Sequence, residues 1–167
     1  MITEDYVSLE IAKLLKEKGF DEKCSKFWLY NKNDTNEICL VSCGLLGDTN
    51  LELNNSQIDT LLNDNKNGYS APTHQKIMKW LREVHNILIV VDYNYECDTT
   101  PYYFKIYRLG ENGKPEQVPV KGISYDKDDI PTEHIVGYRD WERSNDDFKS
   151  CEEASENAIK YCLENII

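Results

Sequence analysis

Apolar residues recur along this chain in helical and strand rhythms, and the clearest switch from one to the other lies between Pro72 and Leu109. From Thr73 to His85, Ile77, Met78, Trp80, Leu81 and Val84 follow the three- and four-residue spacing of an amphipathic helix. Pro72 stands where a first-turn proline is tolerated, and Asn86 is suited to close the helix in a left-handed turn. The β-rich stretch Ile87 to Tyr95 follows at once. Tyr102 to Leu109 pairs back to it across ECDTTP, with Pro101 at a strand start, where a missing N–H matters least. Because a single residue separates helix from strand, the chain must reverse sharply, so Trp80 and Leu81 are expected to pack on the sheet that Ile87 opens.

Similar logic places the remaining elements. Ser8 is an N-cap, Glu10 opposes the positive end of the helix dipole, and Leu9, Ile11, Ala12, Leu14 and Leu15 form a wide apolar stripe. Gly19 stops that helix and sets Phe20 over Leu15. Lys26 to Tyr30 and Glu37 to Cys43 read as a hairpin around NKNDTN, and Ser56 to Asn63 as a short helix that needs tertiary contacts, followed by an NDNKNG loop. Gly110, Gly113 and Pro115 mark a turn, VPVKGISY a further strand, and Asp126 to Asn145 a long ordered loop anchored by Tyr138 and Trp141. The last helix opens on SCEE, where Ser150 and Glu153 form a capping box. Its inward residues are Ala154, Ala158, Ile159, Cys162, Leu163 and Ile166, and their small side chains place it beside the Trp80 helix on the same sheet face. The expected fold is α+β, a single domain spanning 1–167, with an antiparallel sheet, two main helices on one face and a short N-terminal helix at an edge or end. Helix followed by hairpin occurs twice, at Ser8 to Cys43 and Thr73 to Leu109, with so little identity that it reads as two uses of common elements.

Composition narrows the class. With 167 residues, 40% of them hydrophobic and 11% aromatic, the chain can bury a core without disulfide or metal staples and does not have the profile of a disordered one. Eleven tyrosines against four phenylalanines point to many half-buried ring positions, mostly in strands. A net charge of −11 repels phosphate, and the lysines of KLLKEK and of Lys76, Lys79 and Arg82 sit beside glutamates, so nucleic-acid binding is disfavoured. The six cysteines, Cys24, Cys39, Cys43, Cys97, Cys151 and Cys162, accompany a start with Glu4 and Asp5 that does not resemble a signal peptide, which implies reduced thiols in a cytoplasmic protein. The longest apolar run, Ile87 to Val91, falls far short of the roughly 20 residues a membrane helix needs.

Candidate chemistry is sparse. Asn63, Asn65, Asn67 and Gly68 imitate half of a calcium loop, but the first position lacks aspartate and the twelfth is His74 rather than a bidentate glutamate. Cys39 and Cys43 with His74, His85 and His134 supply zinc-ligand types, yet an i, i+4 pair in a strand holds its sulfurs about 13 Å apart. Asp126, Asp128 and Asp129 of SYDKDD are the densest acidic cluster, able to hold a metal or a general base but expected as a solvated loop. Gln75, Lys76, Lys79 and Arg82 would face DNA if helix 73–85 were a recognition helix, but no clean helix and tight turn precede it. No GxSxG, P-loop or GxGxxG turn occurs, and no catalytic, cofactor-binding or metal-binding residue is assigned.

Three segments, YVSLEIAKLLKEKGFD, APTHQKIMKWLREVHNILIVV and EEASENAIKYCLENII, resemble small uncharacterised proteins of bacteriophages and prophages of gut Bacteroidetes. Ala71, Pro72, Thr73, Lys79, Trp80, Leu81, Arg82, Glu83, His85, Asn86 and Ile87 carry the most specific part, and the NKNDTN and SYDKDD loops depart from the pattern. The resemblance covers somewhat under half of the chain. It implies a phage-related protein acting in a bacterial cytoplasm, and no activity, cofactor or site residue comes with it. The leading expectation is a non-enzymatic accessory protein that binds another protein, of the host or the phage. The alternatives are an acidic DNA-mimic inhibitor of a nucleic-acid-binding protein, a hydrolase, and a DNA-binding protein using helix 73–85.

Overall fold

The computed structural model describes residues 5–31, 34–46, 51–62, 68–95, 101–110, 112–125, 131–136 and 148–167. Its elements are mixed helix and antiparallel strand, the α+β class expected. The chain divides into two compact units, Met1–Ile77 with Lys160–Ile167, and Met78–Ile159. Among the described residues, no helix is long and apolar enough to cross a membrane.

The first unit opens with α1, Leu9–Glu17. Ser8 Oγ accepts from Ile11 N at 3.4 Å, as an N-cap should. At the other end Gly19 takes φ 80°, Gly19 N donates to Lys16 O (3.2 Å) and Phe20 N to Leu15 O (2.9 Å). That paired closure turns Phe20 inward, and it is as deeply buried as Leu15. Strands β1 (Lys26–Asn31), β2 (Asp34–Ser42) and β3 (Gly68–Ser70) form an antiparallel sheet ordered β2-β1-β3, with Phe27 opposite Val41 on one side and Ser70 on the other. Helix α2, Asn55–Leu61, is short, and its N-terminus is secured twice. Asn54 and Gln57 make a reciprocal capping box, and Asp21 accepts from Ser56 N and Oγ, both at 3.1 Å. Phe27, Cys43, Leu53 and Ile58 make a buried cluster, with Leu29, Val41, Leu51 and Leu62 packed against it.

The second unit holds the end of α3 (His74–His85), the sheet β4-β5-β6 (Ile87–Tyr93, Tyr102–Leu109, Pro115–Val118), the ladder of β7 (Val120–Tyr125) with β8 (Pro131–Val136), and the first part of α4 (Cys151–Asn165). Asn86 at φ 55° is the left-handed turn between α3 and β4. Trp80 and Leu81 are buried, as are Ile87, Ile89 and Ile106, and on α4 Ala154, Ala158 and Ile159. Ser150 Oγ accepts from Glu153 N at 3.1 Å, but Glu153 Oε2 accepts from Lys149 N (3.0 Å), one residue before the partner a full capping box would use.

Several expectations are revised. Among the described residues, the strands divide among two three-stranded sheets and a two-stranded ladder. β1 and β2 run into the polar NKNDTN segment as far as Asn31 and Asp34, where the register shifts, because ladder pairing overrides turn-like composition. Cys43 leaves the strand and opens a 3-10 turn, Cys43–Leu46. β3 was hidden behind the asparagine-rich stretch. VPVKGISY contributes to β6 as well as β7, interrupted at Pro119, which lacks the N–H a ladder uses. Part of the expected long loop, Pro131–Val136, is β8, while Tyr138 and Trp141 lie outside the described residues. Val84 and Leu61 are exposed although their spacing put them on apolar faces.

Trp80 is a core side chain at 8% exposure, so Trp80→Ala is expected to lower stability by about 3–5 kcal/mol in urea unfolding. Gly68 lies where an added methyl would meet the Ile58 Cγ2 atom and sit 2.8 Å from Leu62 Cδ1. Gly68→Ala should therefore destabilise by about 1–3 kcal/mol through overpacking, and an unchanged urea midpoint would show that α2 can retreat from β3.

Candidate functional site

Side chains on a strand alternate between faces, so the β4–β5 register decides which residues share a surface. Ile89 lies opposite Ile106, Val91 opposite Phe104, and Tyr93 opposite Tyr102. At one end this face is core, with Ile87, Ile89 and Ile106 buried. Midway, Phe104 stacks on Phe148, ring centroids 5.8 Å apart, next to the bridge between Tyr102 and Phe148. At the far end the stripe emerges into solvent, where Tyr93 is 40% exposed and Tyr95 89% exposed. The ring of Tyr93 meets Tyr95 edge-on at 5.0 Å and Tyr102 edge-on at 5.1 Å, which makes a three-ring cluster. Edge-to-face packing satisfies the ring quadrupoles among themselves, and Tyr93 and Tyr95 keep aromatic surface exposed.

The opposite face of the same hairpin carries a polar network. Asp92 accepts from Tyr93 N through Oδ1 and from the Tyr103 hydroxyl through Oδ2, both at 2.9 Å, and Lys105 Nζ lies 3.6 Å from Oδ2. The Tyr93 amide and the Tyr103 hydroxyl hold the Asp92 carboxyl below its ordinary range, while burial and the bond to Asp92 push Tyr103 up. A carboxylate held down in this way ties β4 to β5 and is poorly suited to take a proton from a substrate.

The residues considered from sequence are placed as follows. Asn63, Asn65 and Asn67, and Asp126, Asp128 and Asp129, lie outside the described residues. Gly68 belongs to β3, where its small size is explained by Ile58 and Leu62. His74 is buried at the start of α3, its backbone N–H donating to Asp5 O at 3.1 Å. Cys39 is exposed on β2, whereas Cys43 is buried and its thiol donates to Cys24 O at 3.3 Å. His134 lies on β8. Burial pushes the Cys24 and Cys162 thiols up to about 12 and raises that of Cys43, so none of these three is a ready thiolate. Among the described residues, no three His, Cys, Asp or Glu side chains are grouped as a metal ion requires. On α3, Lys76 Nζ donates to Lys23 O, Lys79 pairs loosely with Glu83 at 4.0 Å, and Gln75 and Arg82 are exposed. Between α2 and α3 lies β3, which removes the tight turn of a helix-turn-helix.

The tyrosine cluster was missed in the sequence because tyrosine alternation alone does not say where a core face ends. The spacing of Tyr93 and Tyr95, with Tyr102 across the hairpin, was the available signal. No family model, curated protein or solved structure matches the chain.

His85, the last residue of α3, packs edge-on against Trp80 at 4.5 Å, with its Nε2 buried and, among the described residues, without a hydrogen-bond partner. Burial lowers its pKa from the ordinary 6.5, so the unfolded chain takes up this proton first. Stability should decline as pH falls below about 6.5 and level off once the folded state is also protonated. Urea midpoints measured across that range should show the decline, and His85→Phe should flatten its His85 component.

Proposed function

We propose that the protein works by binding another protein, as a non-enzymatic accessory factor of phage or prophage origin in a bacterial cytoplasm. The observation that carries this is the emergence of the β4–β5 core stripe into solvent as Tyr93, Tyr95 and Tyr102. Tyrosines are enriched at protein interfaces because a rigid ring supplies large contact area at low entropic loss and its hydroxyl tolerates a wet rim. Tyr95, at 89% exposure, contributes little to its own fold and has most of its surface left to bury on a partner. The phage provenance rests on the resemblance of three stretches, of which Ala71 to Val91 is the most specific. The polar network around Asp92 supports the reading by stiffening the hairpin that presents the rings, which lowers the ordering entropy lost on association.

The test uses the immobilised 167-residue chain, host lysate and increasing free protein as competitor. A saturable complex is expected, weakened about tenfold or more by Tyr95→Ala with the thermal midpoint unchanged. Absence of any saturable complex, or equal capture by the Tyr95→Ala protein, would remove the proposal.

A further inference from the structure

Resting on that protein-binding reading, we infer that the Tyr93, Tyr95 and Tyr102 cluster receives a cationic side chain, arginine above all, presented by a basic segment of the partner. Tyrosine faces in this protein already attract cations. Lys26 Nζ lies 4.0 Å from the Tyr6 ring centre, Lys16 5.2 Å from that of Tyr69, and Lys105 5.0 Å from that of Tyr103. Among the described residues, no cation stands over the three rings of the hairpin end, although these include the most exposed ones. A cation within about 6 Å of a ring centre is drawn to the negative face of the quadrupole, and several rings meeting edge-on can present more than one such face to it.

Charge points the same way. The chain carries 30 aspartates and glutamates against 19 lysines and arginines, a net charge of −11. Such a field attracts basic segments and repels both acidic peptides and the phosphates of a nucleic acid that would otherwise stack on the rings. Arginine fits better than lysine because its planar guanidinium is weakly hydrated, stacks on aromatic faces and keeps donors free in its plane for the phenolic oxygens.

The experiment titrates the full chain with a short arginine–glycine peptide and with its citrulline counterpart, which keeps the shape and loses the charge, following tyrosine ring signals by NMR. Binding of the arginine peptide about tenfold tighter than the citrulline peptide is expected, with a comparable loss in Tyr95→Ala and retention in Tyr95→Phe. Equal binding of the two peptides, or equal binding by wild type and Tyr95→Ala, overturns the inference. So does preferential binding of a thymidine oligonucleotide at these rings, or a Tyr95-dependent dimer in sedimentation, which would give the surface to nucleic acid or to a second copy. If the peptides fail while the lysate complex persists and still depends on Tyr95, only the cationic assignment falls and the protein-binding proposal stands.

Discussion

The second unit depends on the antiparallel register of β4 with β5, seven residue pairs from Ile87–Arg108 to Tyr93–Tyr102, which the bond from Leu109 N to Asn86 O at 2.7 Å extends at one end. Asn86 is in the left-handed conformation at φ 55°, which ends α3 and turns its carbonyl toward the incoming strand. Asn94 N to Pro101 O, at 2.6 Å, fixes the other end of the same hairpin. A slip of one residue would exchange the two faces, sending Val90 and Asp92 toward the core and Ile89 toward water. The register therefore sets both the buried pairing of Ile89 with Ile106 and the exposed pairing of Tyr93 with Tyr102.

In the first unit a few polar side chains play the corresponding part. Asn55, only 6% exposed, donates to Phe20 O at 2.7 Å and accepts from Ser70 N at 2.9 Å, so it joins the end of α1 to β3 through the first residue of α2. Lys16 donates to Asp59 at 2.6 Å and to Gly68 O at 2.9 Å. Each such bond contributes only about 1 kcal/mol net, yet leaving one buried partner unpaired costs more, so these contacts specify geometry more than they add stability. α2 has seven residues, too few to persist alone, and exists because these contacts hold it.

The two faces of the β4–β5 hairpin differ in how folding uses their side chains. One face satisfies its polar groups internally through Asp92, Tyr103 and Lys105 and so stiffens the platform. The other carries aromatic surface that folding leaves partly unused at Tyr93 and Tyr95. The buried thiols of Cys24, Cys43 and Cys162 belong to packing, since desolvation opposes their ionisation.

Local signals were enough for the elements that carry their own punctuation. Ser8 and Gly19 bounded α1, Asn86 ended α3, and Ser150 opened α4, because caps and left-handed turns act within a few residues of the chain. The α+β class followed from the change of hydrophobic period at Asn86. What the sequence left open depended on partners distant along the chain. β3 and β8 exist because β1 and β7 pair with them, in stretches whose asparagines, aspartates and prolines read locally as loop. Where the apolar stripe of β4 stops being core was likewise decided by tertiary packing, since Ile89 and Tyr93 occupy equivalent positions in the strand and differ only in how much of the fold covers them.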